Sequence, residues 1–158
     1  MKKWMSFLLP VMFAMLSAGQ AQGDPLQRKS VSLEDARKAT AAAVAEAKKN
    51  NWTMAIAVVD EGGNLVYFER MDETQIGSAD IAIGKARTAV MFKRPTKALE
   101  DALNGGQHAI LSFPNTLPRE GGLPLSADGK VIGGIGVSGA KSPEDAQVAK
   151  AGVDALAK

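Results

Sequence analysis

Apolar positions along this chain follow two rhythms, one helical and one strand-like, and their order predicts a small α+β domain. Leu33, Ala36, Ala39, Ala43, Val44 and Ala47 recur at three- and four-residue spacing, so they share one stripe of a helix over 33–49. Ser32 stands where an N-cap belongs, with Asp35 three positions on to answer the backbone, and Asn50-Asn51 ends the helix. Residues 54–59 are then almost continuously apolar and end β-branched, the pattern of a central strand. Glu61-Gly62-Gly63-Asn64 supplies turn residues that tolerate positive φ, and 65–69 returns as the second strand of a hairpin.

A second Ala-rich helix is expected over 77–92, with Ser78 as its cap. Its apolar positions (Ile81, Ile83, Ala86, Ala89, Val90, Phe92) cover much of the circumference, which predicts a well-buried helix. Lys93-Arg94 fall in its last turn, where the helix dipole favours cations, and Pro95 stops it. Thr96 is placed to cap a short helix over 97–103 that Gly105-Gly106 ends. Residues 105–124 read as loop with one short strand at most. Leu123-Pro124-Leu125, the Asp128-Gly129 turn and 130–137 form a second hairpin. Ser142-Pro143-Glu144-Asp145 then opens a last helix, with serine as N-cap, proline at the first position and acids in the first turn. Strands that come in hairpins rather than βαβ units predict an antiparallel sheet flanked by helices.

The segment before this pattern belongs to a different class. Lys2 and Lys3, an apolar run from Met5 to Leu16 and the small residues Ser17, Ala18, Gly19 and Ala21 have the layout of a signal peptide over 1–21. The run is short of the roughly 20 residues that span a bilayer. A polar leader over 22–31 and a single domain over 32–158 follow, in a periplasmic or secreted protein with no membrane association after cleavage. With Lys2 and Lys3 gone, 17 basic residues balance 17 acidic ones, so charge gives no ground for a nucleic-acid partner. Cysteine is absent, so an exported chain would fold without disulfides. The low aromatic content (5%) argues against a carbohydrate-stacking surface.

Candidate chemistry is sparse. His108 is the one imidazole, a weak metal candidate, and without Cys the usual zinc sets are unavailable. No serine sits in a nucleophile elbow and no catalytic residue is assigned. Gly133-Gly134-Ile135-Gly136 lies within a strand rather than between strand and helix, so it is no dinucleotide fingerprint. Glycines there mark either a flat surface for a planar ligand or tight packing beneath an Ala-rich helix. Arg70 and Asp72 after the first hairpin, with Lys85 and Arg87 on the next helix, form either a structural ion-pair network or a carboxylate site.

Several of these segments occur together in one known family. Ala57-Val58-Val59-Asp60 with Gly62-Gly63, then Arg70-Met71-Asp72, Ser78, Lys85-Ala86-x-Thr88-Ala89, Pro95-Thr96, Gly121-Gly122-x-Pro124, and Gly133-Gly134-Ile135-Gly136-Val137-Ser138-Gly139 with Asp145 resemble the GlcG/HbpS-like heme-binding family. The match runs in order through essentially the whole chain after residue 21. The resemblance implies a profilin-like or PAS-like sheet flanked by helices, homo-oligomers, and heme as cofactor. It places Thr96 at a heme contact, and Arg70, Lys85 and Arg87 are the cations available to propionates. A threonine hydroxyl is a poor iron ligand beside imidazole or thiolate, so such binding would be exchangeable. The implied function is heme binding or sensing without turnover. The alternatives are a module for a small organic acid or protein partner at Arg70/Asp72, and a tetrapyrrole-degrading enzyme.

Overall fold

The computed structural model describes residues 26–157; the expected signal peptide and the first residues of the leader lie outside them. The element order is α1 (Leu33–Lys49), β1 (Ala55–Asp60), β2 (Leu65–Arg70), α2 (Ser78–Phe92), α3 (Lys97–Asn104), a 3-10 turn (His108–Ser112), β3 (Gly122–Ala127), β4 (Lys130–Ser138) and α4 (Ser142–Asp154). The four strands form one antiparallel sheet in the order β2-β1-β4-β3, which is the expected α+β architecture. Helices α1 and α4 cover one face and α2 covers the other.

Strand alternation sorts the side chains between these layers. Met54, Ile56, Val58, Ile135 and Val137 point toward α1 and α4, against Ala36, Ala39, Ala43, Ala47 and Val148. Ala55, Ala57 and Val59 point the other way, against Ala82, Ala86 and Val90 of α2. The two tight turns behave as their residues require. Asp60 accepts the backbone N–H groups of Gly62 (2.9 Å) and Asn64 (2.8 Å), while Gly63 takes φ 82°. Asp128 and Gly129 both have positive φ in the second hairpin, as its two-residue turn demands.

The glycine question is decided by α2. A Cβ on Gly136 would lie 2.1 Å from the Ala82 carbonyl oxygen, and one on Gly134 would lie 2.6 Å from that of Ala86. One on Gly122, beside them on β3, would lie 2.4 Å from the Lys85 carbonyl. The glycine row is the bed of an Ala-rich helix, not an open platform for a planar ligand.

Several capping expectations are corrected. Ser32 caps α1 as expected, its Oγ accepting from Asp35 N–H at 3.0 Å. Ser78 is the first residue of α2, and its buried hydroxyl lies 3.4 Å from Ser138 Oγ instead of capping. Lys93 is not in the last turn but is the left-handed C-cap (φ 51°). Thr96 caps nothing with its side chain, because Gly122 has captured it. The last helix starts one residue earlier than expected, with Lys141 rather than Ser142 as N-cap, because Glu144 turns back to accept the Lys141 N–H at 2.9 Å. The expected loop 105–124 contains the 3-10 turn, and its strand starts only at Gly122.

Candidate functional site

The four charges expected around one strand end (Arg70, Asp72, Lys85 and Arg87) do not converge. Arg70 ends β2 opposite Ala55, at the far end of the hairpin from its turn, and pairs with no described acid; Asp72 pairs with no described cation. Arg87 is held at the other end, where its Nε–H donates to the Gly63 carbonyl at 3.0 Å. The expected four-charge ion-pair network therefore does not form among the described residues.

Lys85 has a different task. It leaves α2 fully buried, and its Nζ donates to Asp145 Oδ2 of α4 (2.7 Å) and to the Val137 carbonyl (2.8 Å). Because α2 and α4 lie on opposite faces of the sheet, this bond joins the two helical layers past the end of β3. Gly121 makes the passage possible: at φ 117°, a Cβ there would stand 2.8 Å from both Lys85 Nζ and the Asp145 Cβ. Burial pushes the Lys85 ammonium below its ordinary value, and the bond to Asp145 opposes that shift. Burial likewise pushes the Asp145 carboxyl up, opposed by Lys85 and by the Ala140 N–H, which Asp145 Oδ1 accepts at 3.1 Å. The pair was missed from sequence because its members are 60 positions apart; a lysine amid the small residues of α2 and the adjacent Gly121-Gly122 were the available signals.

Thr96 is also fully buried. Its hydroxyl accepts the Gly122 N–H at 2.9 Å and its own N–H donates to the Gly122 carbonyl at 3.0 Å. This two-way clasp ties the α2–α3 corner to the start of β3. In this conformation Thr96 and Lys85 present no atom to a ligand. His108 is exposed at the start of the 3-10 turn and lines neither of the two grooves described below. No group of three or more His, Asp or Glu able to hold a metal occurs among the described residues.

Arg87, one of the expected cations, opens onto a concavity. A shallow groove of about 490 Å³ runs between the outer face of α2 and the 115–117 loop, lined by Ile81, Ile83, Gly84 and Leu117 with Arg87 and Asp80. The loop is fixed to the helix: Leu117 N–H donates to Thr88 Oγ1 at 2.8 Å, and Thr88 Oγ1 donates to the Gly84 carbonyl at 2.8 Å. Gly84 lets Leu117 sit close, since a Cβ there would be 3.2 Å from its Cδ2. Further along, Phe113 stacks on Phe92 with ring centroids 5.7 Å apart. Aliphatic walls with a guanidinium oriented by its Nε suit a flat apolar molecule that carries an anionic group. Heme has that chemistry. The lining includes no imidazole, thiolate or thioether, so its fit is to the macrocycle and a propionate rather than to iron.

Comparison with known proteins agrees with this architecture. The protein GlcG of Escherichia coli K12 is 45% identical over 98 residues, 62% of this chain and 73% of GlcG. A doubly substituted variant of HbpS from Streptomyces reticuli superposes with a TM-score of 0.82 at 35% identity, covering 97% of this chain and 100% of that one. The crystal structure of a PduOC:heme complex superposes with a TM-score of 0.74 at 29% identity, covering 80% of this chain and 95% of the other. A family model described as "Haem degrading protein HbpS-like" matches residues 31–154. With that match spanning nearly all of the described residues, the chain belongs to the HbpS-like family.

Proposed function

We propose that this protein is an exported, oligomeric heme-binding or heme-sensing protein that holds heme reversibly and does not turn it over. The observation that carries the reading is the groove on α2, where Ile81, Ile83 and Leu117 form an apolar wall and Arg87 is anchored by Gly63 at its margin. Membership of the HbpS-like family and the heme complex of a similar structure support heme as the occupant. Arg87 would hold a propionate, and the aliphatic wall would exclude water from one face of the macrocycle. The iron would supply only the spectral signature. Without a strong axial donor in the lining, binding would be exchangeable, as a sensor or carrier requires.

Exposed Ile76 and Met91 support self-association. Light scattering of the purified protein tests it: an oligomer is expected, and a monomer at micromolar concentration would remove this part of the reading.

Hemin titration followed by absorption tests the site. A saturable Soret change is expected in the wild type, with affinity reduced about tenfold or more in Arg87→Ala and unchanged in Arg70→Ala. Titration without saturation in folded protein, or equal loss in both variants, would overturn the assignment to this groove.

A further inference from the structure

A second concavity lies at the hairpin-turn end of the sheet, and its chemistry differs from that of the α2 groove. It measures about 800 Å³ and is bounded by the leader, the end of α2 and the β3–β4 turn. Four cations line it: Arg28 and Lys29 from the leader, Lys93 from the C-cap of α2, and Lys130 after the Asp128-Gly129 turn. The leader is held in place there. Val31 N–H donates to the Ile132 carbonyl at 2.8 Å, and Lys29 pairs with Asp128. Arg28, Lys93 and Lys130 form no ion pair with any described residue. In a chain whose charges balance after residue 21, three such cations around one groove are a local excess of positive charge.

One acid faces them. Glu61 lines the same groove from the β1–β2 turn, and its Oε2 is shielded from solvent with no hydrogen-bond partner among the described residues. A buried acceptor left in that state is costly, so a donor is expected to meet it. The groove therefore asks for two things in one molecule: several negative charges spread widely enough to reach cations on three separate elements, and a hydrogen-bond donor for Glu61.

We infer that this groove is a binding site for a small hydroxylated polycarboxylate, with Arg28, Lys93 and Lys130 taking the carboxylates and Glu61 Oε2 accepting from the hydroxyl. Spread-out planar carboxylates suit the geometry better than a single phosphate, because the cations come from separate elements and Arg28 can bind a carboxylate in bidentate fashion. The site shares no residue with the α2 groove, so it stands or falls independently of heme.

Isothermal titration with citrate and tricarballylate tests the inference, since the two differ only by the hydroxyl. Citrate is expected to bind saturably with one molecule per chain, and tricarballylate about tenfold more weakly. Inorganic phosphate at the same concentration is expected not to compete. Lys93→Gln with Lys130→Gln should weaken both tricarboxylates at least tenfold. Glu61→Met should retain binding but abolish the difference between them. Absence of saturable citrate binding, equal binding of the two acids by the wild type, or full competition by phosphate would overturn it. The wild-type comparison decides the matter even if a variant fails to fold.

Discussion

Breaking the Lys85–Asp145 bond from one side should cost more than removing it whole. Asp145→Asn keeps an oxygen for the Ala140 N–H but strands a buried ammonium whose two acceptors are Asp145 and the Val137 carbonyl. Both side chains are almost wholly buried, 1% and 3% exposed, so water cannot replace the missing partner. Orphaning one member of such a pair costs about 3–5 kcal/mol. For a domain of this size that lowers Tm by roughly 10–20 °C. Lys85→Met strands the carboxylate instead, with a loss of similar size at neutral pH. The sign of its pH dependence follows from Asp145, whose folded value is already raised by burial and would rise further without Lys85. Between the unfolded value near 3.8 and that raised value the native state binds the proton more tightly. The Lys85→Met deficit should therefore shrink as pH falls from 7 into that window, and grow back as pH rises. The double variant removes both charges, so its loss should fall at least about 2 kcal/mol short of the sum of the single losses. Urea melts at pH 7 with a constant slope would measure all three. Single losses below about 1 kcal/mol, or additivity within about 0.5 kcal/mol, would refute the view of this pair as a clip between the helical layers.

Three further outcomes follow from contacts elsewhere. Gly136→Ala should destabilise by about 1–3 kcal/mol or more, because its Cβ would meet the Ala82 carbonyl at 2.1 Å and helix backbone must lift to admit it; a thermal melt matching wild type would contradict this. Thr96→Val keeps the shape but leaves the buried Gly122 N–H without its side-chain acceptor, and a loss of about 1–3 kcal/mol is expected in urea. At Asp60, burial pushes the carboxyl up, but bonds from Asn64, Gly62 and Gly63 outweigh it and hold it below 3.8. Asp60→Ala should thus cost about 1–2 kcal/mol at pH 7, a deficit that closes as pH falls through the folded value. A gap of equal size at pH 7 and in strong acid would count against that role.

What could be read from sequence was local. The 54–69 hairpin, the α1 stripe from Ala36 to Ala47 (its expected first member, Leu33, is exposed) and the Asp128-Gly129 turn were legible because periodicity and turn chemistry act within a few residues. The caps at Ser78 and Thr96 misled because tertiary partners, Ser138 and Gly122, took their hydroxyls. Lys85 was legible as an important cation but not as a buried one, since its partner arrives from the opposite face of the sheet. The glycines of β4 were ambiguous for the same reason: only the path of α2 shows what lies against them. Of the expected ligand residues, Arg87 lines the α2 groove, and the Ile81–Leu117 wall there was invisible because it joins a helix to a loop more than thirty residues away.

Reversible binding without turnover is the central claim, and one absorption record tests it. Hemin-loaded protein is followed for hours under ascorbate with catalase present. The account predicts a Soret band that persists and that transfers to added apomyoglobin. Steady loss of that band, with a long-wavelength product growing in its place, would contradict it and make the protein a heme-degrading enzyme.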